Sequence, residues 1–339
     1  MNMPAPDRQK LTRQPPHEAV GNFAASIAGE LAAMRRCISE QLITCDAAID
    51  DMLAYVGART GKMLRPAMLL LVGQSCADLT ETHVRAAAIV ELLHVATLLH
   101  DDVIDEAQSR RNAPTANKLW GNASAVLLGD FVLSKVFYMS TTLDSRLVGQ
   151  LLSQTAVDVC RGELRQNVES NNWELSEAAY YDIVGDKTAA LFAAACYLGS
   201  LITGGPEARH ESFRNFGLKI GMAFQITDDL LDIVGDEARV GKTLGTDLAG
   251  RKMTLPLIHL LATADAAQRQ AFIARLSAPR GVDPETFAGM LRQADSITYT
   301  QSVARRFCHE ATNILAGLET PRTTAPLAAI ADSIAERCA

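Results

Sequence analysis

Two stretches of this chain hold residues whose types and spacing could do chemistry. The first is Leu98-Leu99-His100-Asp101-Asp102-Val103-Ile104-Asp105, and the second is Gln225-Ile226-Thr227-Asp228-Asp229-Leu230-Leu231-Asp232. Each is an apolar segment ending in Asp-Asp-x-x-Asp. On a helix, residues i and i+4 lie on one face roughly 6 Å apart. Asp101 and Asp105 therefore project together, as do Asp228 and Asp232. No Lys or Arg stands inside either cluster. Two like charges about 4 Å apart repel by about 4 kcal/mol at an effective dielectric near 20, and a hard divalent cation relieves that repulsion. Oxygen-only ligands favour Mg²⁺ or Ca²⁺ over Zn²⁺, and neither cluster has the D-x-D-x-D-G pattern of an EF-hand. A single such cluster is more often a solvated helix end. Two copies, separated by 127 positions and each closing an apolar segment, point to a joint site.

An acidic, cation-loading site suits an anionic substrate, because Mg²⁺ typically bridges a few carboxylates to substrate phosphates. Cationic residues stand at element ends around both clusters. Gly61-Lys62-Met63-Leu64-Arg65-Pro66 places Lys62 and Arg65 at a helix start, where backbone N–H groups also favour anions. Arg110 and Arg111 follow the first cluster, Lys187-Thr188 opens an apolar helix, and Lys242 and Lys252 follow the second cluster. Singly, each reads as a solvated side chain.

With these stretches in view, the chain resembles the trans-type (all-E) polyprenyl diphosphate synthases, and among them the long-chain subgroup that includes octaprenyl diphosphate synthases. The resemblance rests on GKMLRP (61–66), LLHDDVIDEAQSRRNAPTANKLWGN (98–122), GDKTAALF (185–192), AFQITDDLLDI (from 223) and GKTLGTDLAGRKMTLPL (to 257). It implies that Gly61, Lys62, Arg65, His94 and Arg111 hold the diphosphate of isopentenyl diphosphate. It implies that Asp101, Asp102, Asp105, Asp228, Asp229 and Asp232 bind magnesium, three ions per site once diphosphate is present. Arg110, Lys187, Gln225, Lys242 and Lys252 match groups that grip or activate the allylic diphosphate. Oxygens of Thr188 and Gln225 match positions facing the developing carbocation. Catalysis would then centre on Asp101, Asp105, Asp228, Lys187, Thr188 and Gln225. A histidine on an apolar helix is commonly a satisfied core residue, yet His94 stands two helical turns before Asp101 on the same face. His100 reads as structural.

A growing prenyl tail needs an apolar shaft. Five residues before Asp101 stands Ala96, and no Phe, Tyr or Trp occurs from Thr82 to Val103. In short-chain relatives a bulky residue near this position closes the shaft. An open shaft, with each buried CH₂ worth about 0.8 kcal/mol, suits a long tail, and the resemblance to the long-chain subgroup implies a product of roughly eight to ten isoprene units. The other reading of Ala96 is close helix packing.

The elements that must position these residues are helices. Apolar spacing of i, i+3, i+4 recurs almost throughout, while period-two runs are nearly absent. The spacing predicts helices over Val20–Val56, Leu64–Gln74, Thr82–His100, Asn122–Thr141, Arg146–Glu169, Glu177–Val184 (capped by Ser176), Thr188–Thr203 and Glu207–Val234. Asn112–Pro114 and Gly235–Gly250 read as loops. The expected fold is all-α, a single large orthogonal or antiparallel helical bundle around a central cavity (isoprenoid synthase-like). It is expected over residues 19–339, behind a disordered Pro-containing tail at 1–18.

The bulk numbers narrow the classes. The 339 residues are 48% hydrophobic with net charge −7, which argues against nucleic acid as a partner. Seven cysteines form no CxxC or CxxH pair and read as thiols of a reducing compartment, so the chain is expected to be cytoplasmic. The uncharged run Thr188–Pro206 reads as a buried helix, not a membrane span. The resemblance also implies a homodimer. Three alternatives remain open: a medium-chain (geranylgeranyl) diphosphate synthase, a class I terpene cyclase, and a non-catalytic subunit of a heteromeric synthase. A cyclase normally carries a different second motif, and such subunits usually lack one of the aspartate clusters.

Overall fold

The computed structural model describes residues 25–58, 61, 63–110, 113–143, 145–235, 245–278 and 282–338. Lys62, Arg111, Lys242 and the tail expected at 1–18 lie outside them.

The described chain is helical almost throughout, as the periodicity implied. After a 3₁₀ turn at Ala25–Ile27 come α1 (Ala28–Gln41), α2 (Ala47–Gly57), α3 (Leu64–Cys76) and α4 (Glu81–Ile104). A two-rung antiparallel ladder follows, β1 (Ser109–Arg110) against β2 (Ala113–Pro114). Then come α5 (Ala116–Trp120), α6 (Asn122–Thr141), α7 (Arg146–Val168) and α8 (Glu177–Val184). A π-turn, Gly185–Ala189, leads into α9 (Ala190–Ile202). The rest is α10 (Glu207–Val234), α11 (Thr246–Ala249), α12 (Leu255–Thr263), α13 (Ala266–Leu276), α14 (Pro284–Gln293), α15 (Ser296–Ala316) and α16 (Ala325–Arg337).

The core lies along α3, α4, α9 and α10. Leu69, Leu70, Ile89, Leu92, Leu198 and Phe213 are all 0% exposed, and helices apolar nearly all round belong in a core. α9 packs on α3, α4 and α10, so it is the spacer between the two aspartate-bearing helices α4 and α10. Its contact with α10 is backbone-close: a Cβ at Gly217 would sit 2.5 Å from the Phe192 carbonyl oxygen. The uncharged run read as a buried helix is thereby placed inside the bundle. Among the described residues, the helix long and apolar enough to cross a membrane is instead α6. It runs antiparallel to α4: Arg85, early in α4, donates to Thr142 Oγ1 just past α6, at 2.5 Å.

Several boundaries differ from the periodicity reading: α4 runs on past His100 to Ile104, and α11 (Thr246–Ala249) forms inside the loop expected over Gly235–Gly250. The single helix expected over Val20–Val56 is broken at residues 42–46. Asp50 turns its carboxylate back onto Thr44 N and Oγ1 (both 2.7 Å) and Cys45 N (3.1 Å), while Asp46 caps α2 through Ala48 N. Short acidic side chains offer the backbone an alternative to the helix ladder. Lys187-Thr188 does not open a helix either: it lies inside the π-turn that makes α8 and α9 one continuous rod. One residue too many for an α-ladder enters there, a feature that recurs at functional sites. The expected loop at 112–114 contributes Ala113 and Pro114 to the ladder with β1.

Candidate active site

α4 and α10 both end at their aspartates, so each cluster adds its charge to the negative end of a helix dipole. The two ends meet through the segment after α10. Lys252 Nζ lies 2.9 Å from Asp105 Oδ1 and 3.8 Å from Asp247 Oδ1. Asp247 N donates to Asp232 Oδ2 at 3.0 Å, and Thr246 Oγ1 donates to Asp232 Oδ1 at 3.2 Å. Asp105 and Asp232 are thus joined through Lys252 and Asp247. Asp105 borders an open cleft also lined by Glu163, Gln166, Thr246, Gly250 and Lys252. For Lys252, burial disfavours the charge but Asp247 and Asp105 outweigh it, and its ammonium is held above its ordinary value.

α8, the π-turn and α7 close a second side. Lys187 Nζ pairs with Glu163 and donates to Gln166 Oε1 at 2.6 Å. α7 can approach so closely because residue 162 is glycine: a Cβ there would lie 2.3 Å from Lys187 N. Next along the turn, Thr188 Oγ1 donates to Gln225 Oε1 at 2.8 Å, and Gln225 Nε2 donates to Asp229 Oδ1 at 2.7 Å. Tyr180 donates to Asp229 Oδ2, also at 2.7 Å. Burial and this buried carboxylate hold the Tyr180 hydroxyl well above its usual range, so it keeps its proton. Asp229 is thus doubly hydrogen-bonded, and Asp102, also buried, accepts from Arg110 Nε at 2.7 Å.

Of the residues expected to hold a second diphosphate, Gly61, Arg65 and His94 lie among the described ones. Arg65 lies over the Phe192 ring at 4.4 Å and 6.0 Å from the Phe224 centroid, an arrangement worth a further fraction of a kcal/mol to a few. His94 is half-buried on α4, and Gly61 is half-buried before α3. Ala96 is 2% exposed and part of the packed core. His100 pairs with Asp130 at 3.2 Å and fits against Gly129 of α6, a structural role as read from the sequence.

Several participants carry no sequence signal. Glu163 and Gln166 lie within an ordinary-looking helix, and Tyr180 in a short one. Arg337, at the end of α16, reaches Asp228 Oδ1 at 3.5 Å and lies 5.7 Å from the Phe224 ring centre. Only their tertiary placement reveals them.

Among the described residues no three His, Cys, Asp or Glu side chains already converge as a metal cage. The donors nevertheless fit a hard cation. All are carboxylate oxygens, and burial, with Glu163 adding to it, pushes the Asp101 carboxyl up to about 7 despite Lys187 and Arg110. Magnesium is suited to such a site, since it commonly takes one or two carboxylates and completes its shell with water and substrate phosphates.

Comparison with known proteins places this geometry. The family model described as Polyprenyl synthetase matches residues 46–288. An octaprenyl diphosphate synthase of Escherichia coli (strain K12) is 36% identical over 243 residues, 72% of this chain and 75% of that protein. An all-trans-nonaprenyl-diphosphate synthase (geranyl-diphosphate specific) of Rhodobacter capsulatus is 37% identical over 249 residues, 73% of this chain and 76% of that protein. A crystal structure of a polyprenyl synthase from Caulobacter crescentus CB15, complexed with calcium and isoprenyl diphosphate, superposes with TM-score 0.87 at 30% identity, covering 96% of this chain and 100% of that one. What aligns over residues 46–288 includes both aspartate helices and the cleft between them, and the chain belongs to the polyprenyl synthetase family.

Proposed function

We propose that the facing ends of α4 and α10 ionise an allylic diphosphate so that isopentenyl diphosphate can attack it. As a trans-polyprenyl diphosphate synthase, the enzyme adds five-carbon units head-to-tail and builds a long all-trans polyprenyl diphosphate. We assign the product to a quinone side chain, with about eight to ten units in a shaft where each buried CH₂ contributes about 0.8 kcal/mol. The observation that supports the reading is the chain of contacts Asp105–Lys252–Asp247–Asp232, which links two acidic clusters far apart in sequence.

Asp101, Asp102, Asp105, Asp228, Asp229 and Asp232 would hold three magnesium ions with the diphosphate. Bound magnesium supplies charge neutralisation of the departing diphosphate. Lys187, Lys252 and Arg110 now rest on Glu163, Asp105 and Asp102. Transfer of these cations from carboxylate to diphosphate oxygens stabilises charge as the C–O bond breaks, with Lys242 in the same role by resemblance. Lys62, Arg65, His94 and Arg111, with the Gly61 backbone, hold isopentenyl diphosphate, so attack occurs between preoriented partners. The Thr188 hydroxyl and Gln225 carbonyl present oxygens to the allylic cation, and their mutual hydrogen bond fixes both. No motif side chain is an evident base for the final deprotonation, so the released diphosphate takes that proton.

The enzyme acts as a cytoplasmic homodimer in this reading. Its seven cysteines are free, and α6 presents Leu127 (67% exposed) and Tyr138 (61% exposed) on an apolar face that a second copy would cover. Incubating the purified single chain with Mg²⁺, an allylic primer and radiolabelled isopentenyl diphosphate tests the assignment. Product that forms without isopentenyl diphosphate would indicate a cyclase, and inactivity of the single chain would indicate a heteromeric subunit.

A further inference from the structure

Lys252 is aimed at Asp105 from a turn whose partner residue, Asn171, lies outside all of the motifs. The residue before it, Arg251, has φ +52°, and Asn171, in the turn between α7 and α8, has φ +66°. Asn is among the non-glycine residues that tolerate the left-handed region, whereas Arg there is uncommon. These two residues are bonded to each other twice. Asn171 N donates to the Arg251 carbonyl at 3.2 Å, and Arg251 Nη1 donates to Asn171 Oδ1 at 3.2 Å. Lys252 N then donates to the Asp247 carbonyl at 2.8 Å. Their neighbours Ser170 and Gly250 both line the cleft.

A residue's φ sets the direction in which the following residue leaves the backbone. Relaxing Arg251 to negative φ would swing Lys252 away from Asp105. An uncommon conformation persists only where its surroundings impose it, and here the imposing group is Asn171. We propose that Asn171 and Arg251 form a clasp whose work is to present the Lys252 ammonium to the allylic diphosphate, which makes Asn171 a positioning residue for the reaction. The inference rests on the reading of Lys252 given above. In it, α7 acts on the leaving group twice: directly through Glu163 on Lys187, and through the turn at its end on Lys252.

The test is a double-mutant cycle of Asn171→Gly with Lys252→Ala, because coupled sites depart from additivity. Glycine keeps the left-handed backbone and its N–H, removing only the side-chain acceptor. Because a displacement near 1 Å can cost as much as about 100-fold, Asn171→Gly is expected to lower kcat/KM for the allylic substrate about 10-fold. KM for isopentenyl diphosphate and the thermal midpoint stay unchanged. Calorimetric affinity for inorganic diphosphate with Mg²⁺ weakens in parallel. Asn171→Asp, which keeps the acceptor, restores the activity; Arg251→Ala, which lacks the guanidinium and disfavours the same φ, reproduces the loss. In a Lys252→Ala background, Asn171→Gly adds nothing. Wild-type behaviour of Asn171→Gly, or losses that multiply with Lys252→Ala, would overturn the clasp while leaving the site reading intact. A Lys252→Ala enzyme with normal diphosphate affinity would overturn both, and so separates the two failures.

Discussion

Lys252 Nζ lies 2.9 Å from Asp105 Oδ1 across a sequence separation of 147 residues, and the same ammonium approaches Asp247, whose backbone holds Asp232. This contact makes two helix ends into one site. Asp105→Asn leaves Lys252 its neighbour Asp247 but removes a carboxylate from the cation-binding edge. Half-exposed ion pairs contribute only about 0–1 kcal/mol to stability, so the thermal midpoint should scarcely move. Steady-state turnover should fall by about 100- to 1000-fold, the scale for loss of a preorganised electrostatic group. Turnover close to wild type would remove Asp105 from the site.

The Tyr180 hydroxyl donates to Asp229 Oδ2 at 2.7 Å, and both residues are buried. Tyr180→Phe deletes the donor and leaves Asp229 with one fewer hydrogen bond. A buried acceptor deprived of a partner costs about 1–3 kcal/mol, which urea unfolding should show as a lower midpoint with an unchanged slope. No change in midpoint would mean that water or another donor replaces the tyrosine.

No cage of three metal-binding side chains is preformed among the described residues, while Asp102 and Asp105 are paired with cations. Mg²⁺ alone should therefore raise the thermal midpoint little, and inorganic diphosphate alone little. Together they should raise it by several degrees, because a ligand at about 100 times its Kd adds about 2.7 kcal/mol. A full shift from Mg²⁺ alone would show that the protein cages the metal unaided.

The parts of this site that could be read from the chain were those where type and spacing coincide. Asp101 and Asp105, or Asp228 and Asp232, declare a shared helix face because apolar periodicity runs up to them. Ser176 and the span Glu177–Val184 were equally readable, since a cap and an amphipathic pattern agree there. Glu163, Tyr180, Asn171 and Arg337 were not, because each acts on a partner from another helix or turn. The break between α1 and α2 was also hidden: the apolar pattern runs through it, and only the fold-back of Asp50 onto Thr44 stops the helix. Lys187-Thr188 lies inside a π-turn and not at the helix start that the apolar spacing implies, since a π-turn leaves no mark in that spacing.

Ala96 is packed in the core on α4. Ala96→Phe should shorten the product, read by thin-layer analysis of radiolabelled chains, and should destabilise the fold by about 1–3 kcal/mol through overpacking. An unchanged product length would leave Ala96 a packing residue only.

Leu127 and Tyr138 stand exposed on α6. A charge on each, Leu127→Glu with Tyr138→Glu, should convert a dimer to monomers in sedimentation velocity, since like charges brought across an apolar interface repel and lose solvation. A dimer that persists would place the interface elsewhere.

The central claim is that the ends of α4 and α10 act together on one diphosphate and feed a long apolar shaft. Chain-length analysis of the products made by the purified chain from radiolabelled isopentenyl diphosphate tests it most directly. The account expects Mg²⁺-dependent products of about eight to ten isoprene units, in keeping with about 0.8 kcal/mol per buried CH₂, abolished when either Asp101 or Asp228 is changed to Ala. Products ending at four units, or long products that survive loss of Asp228, would contradict it.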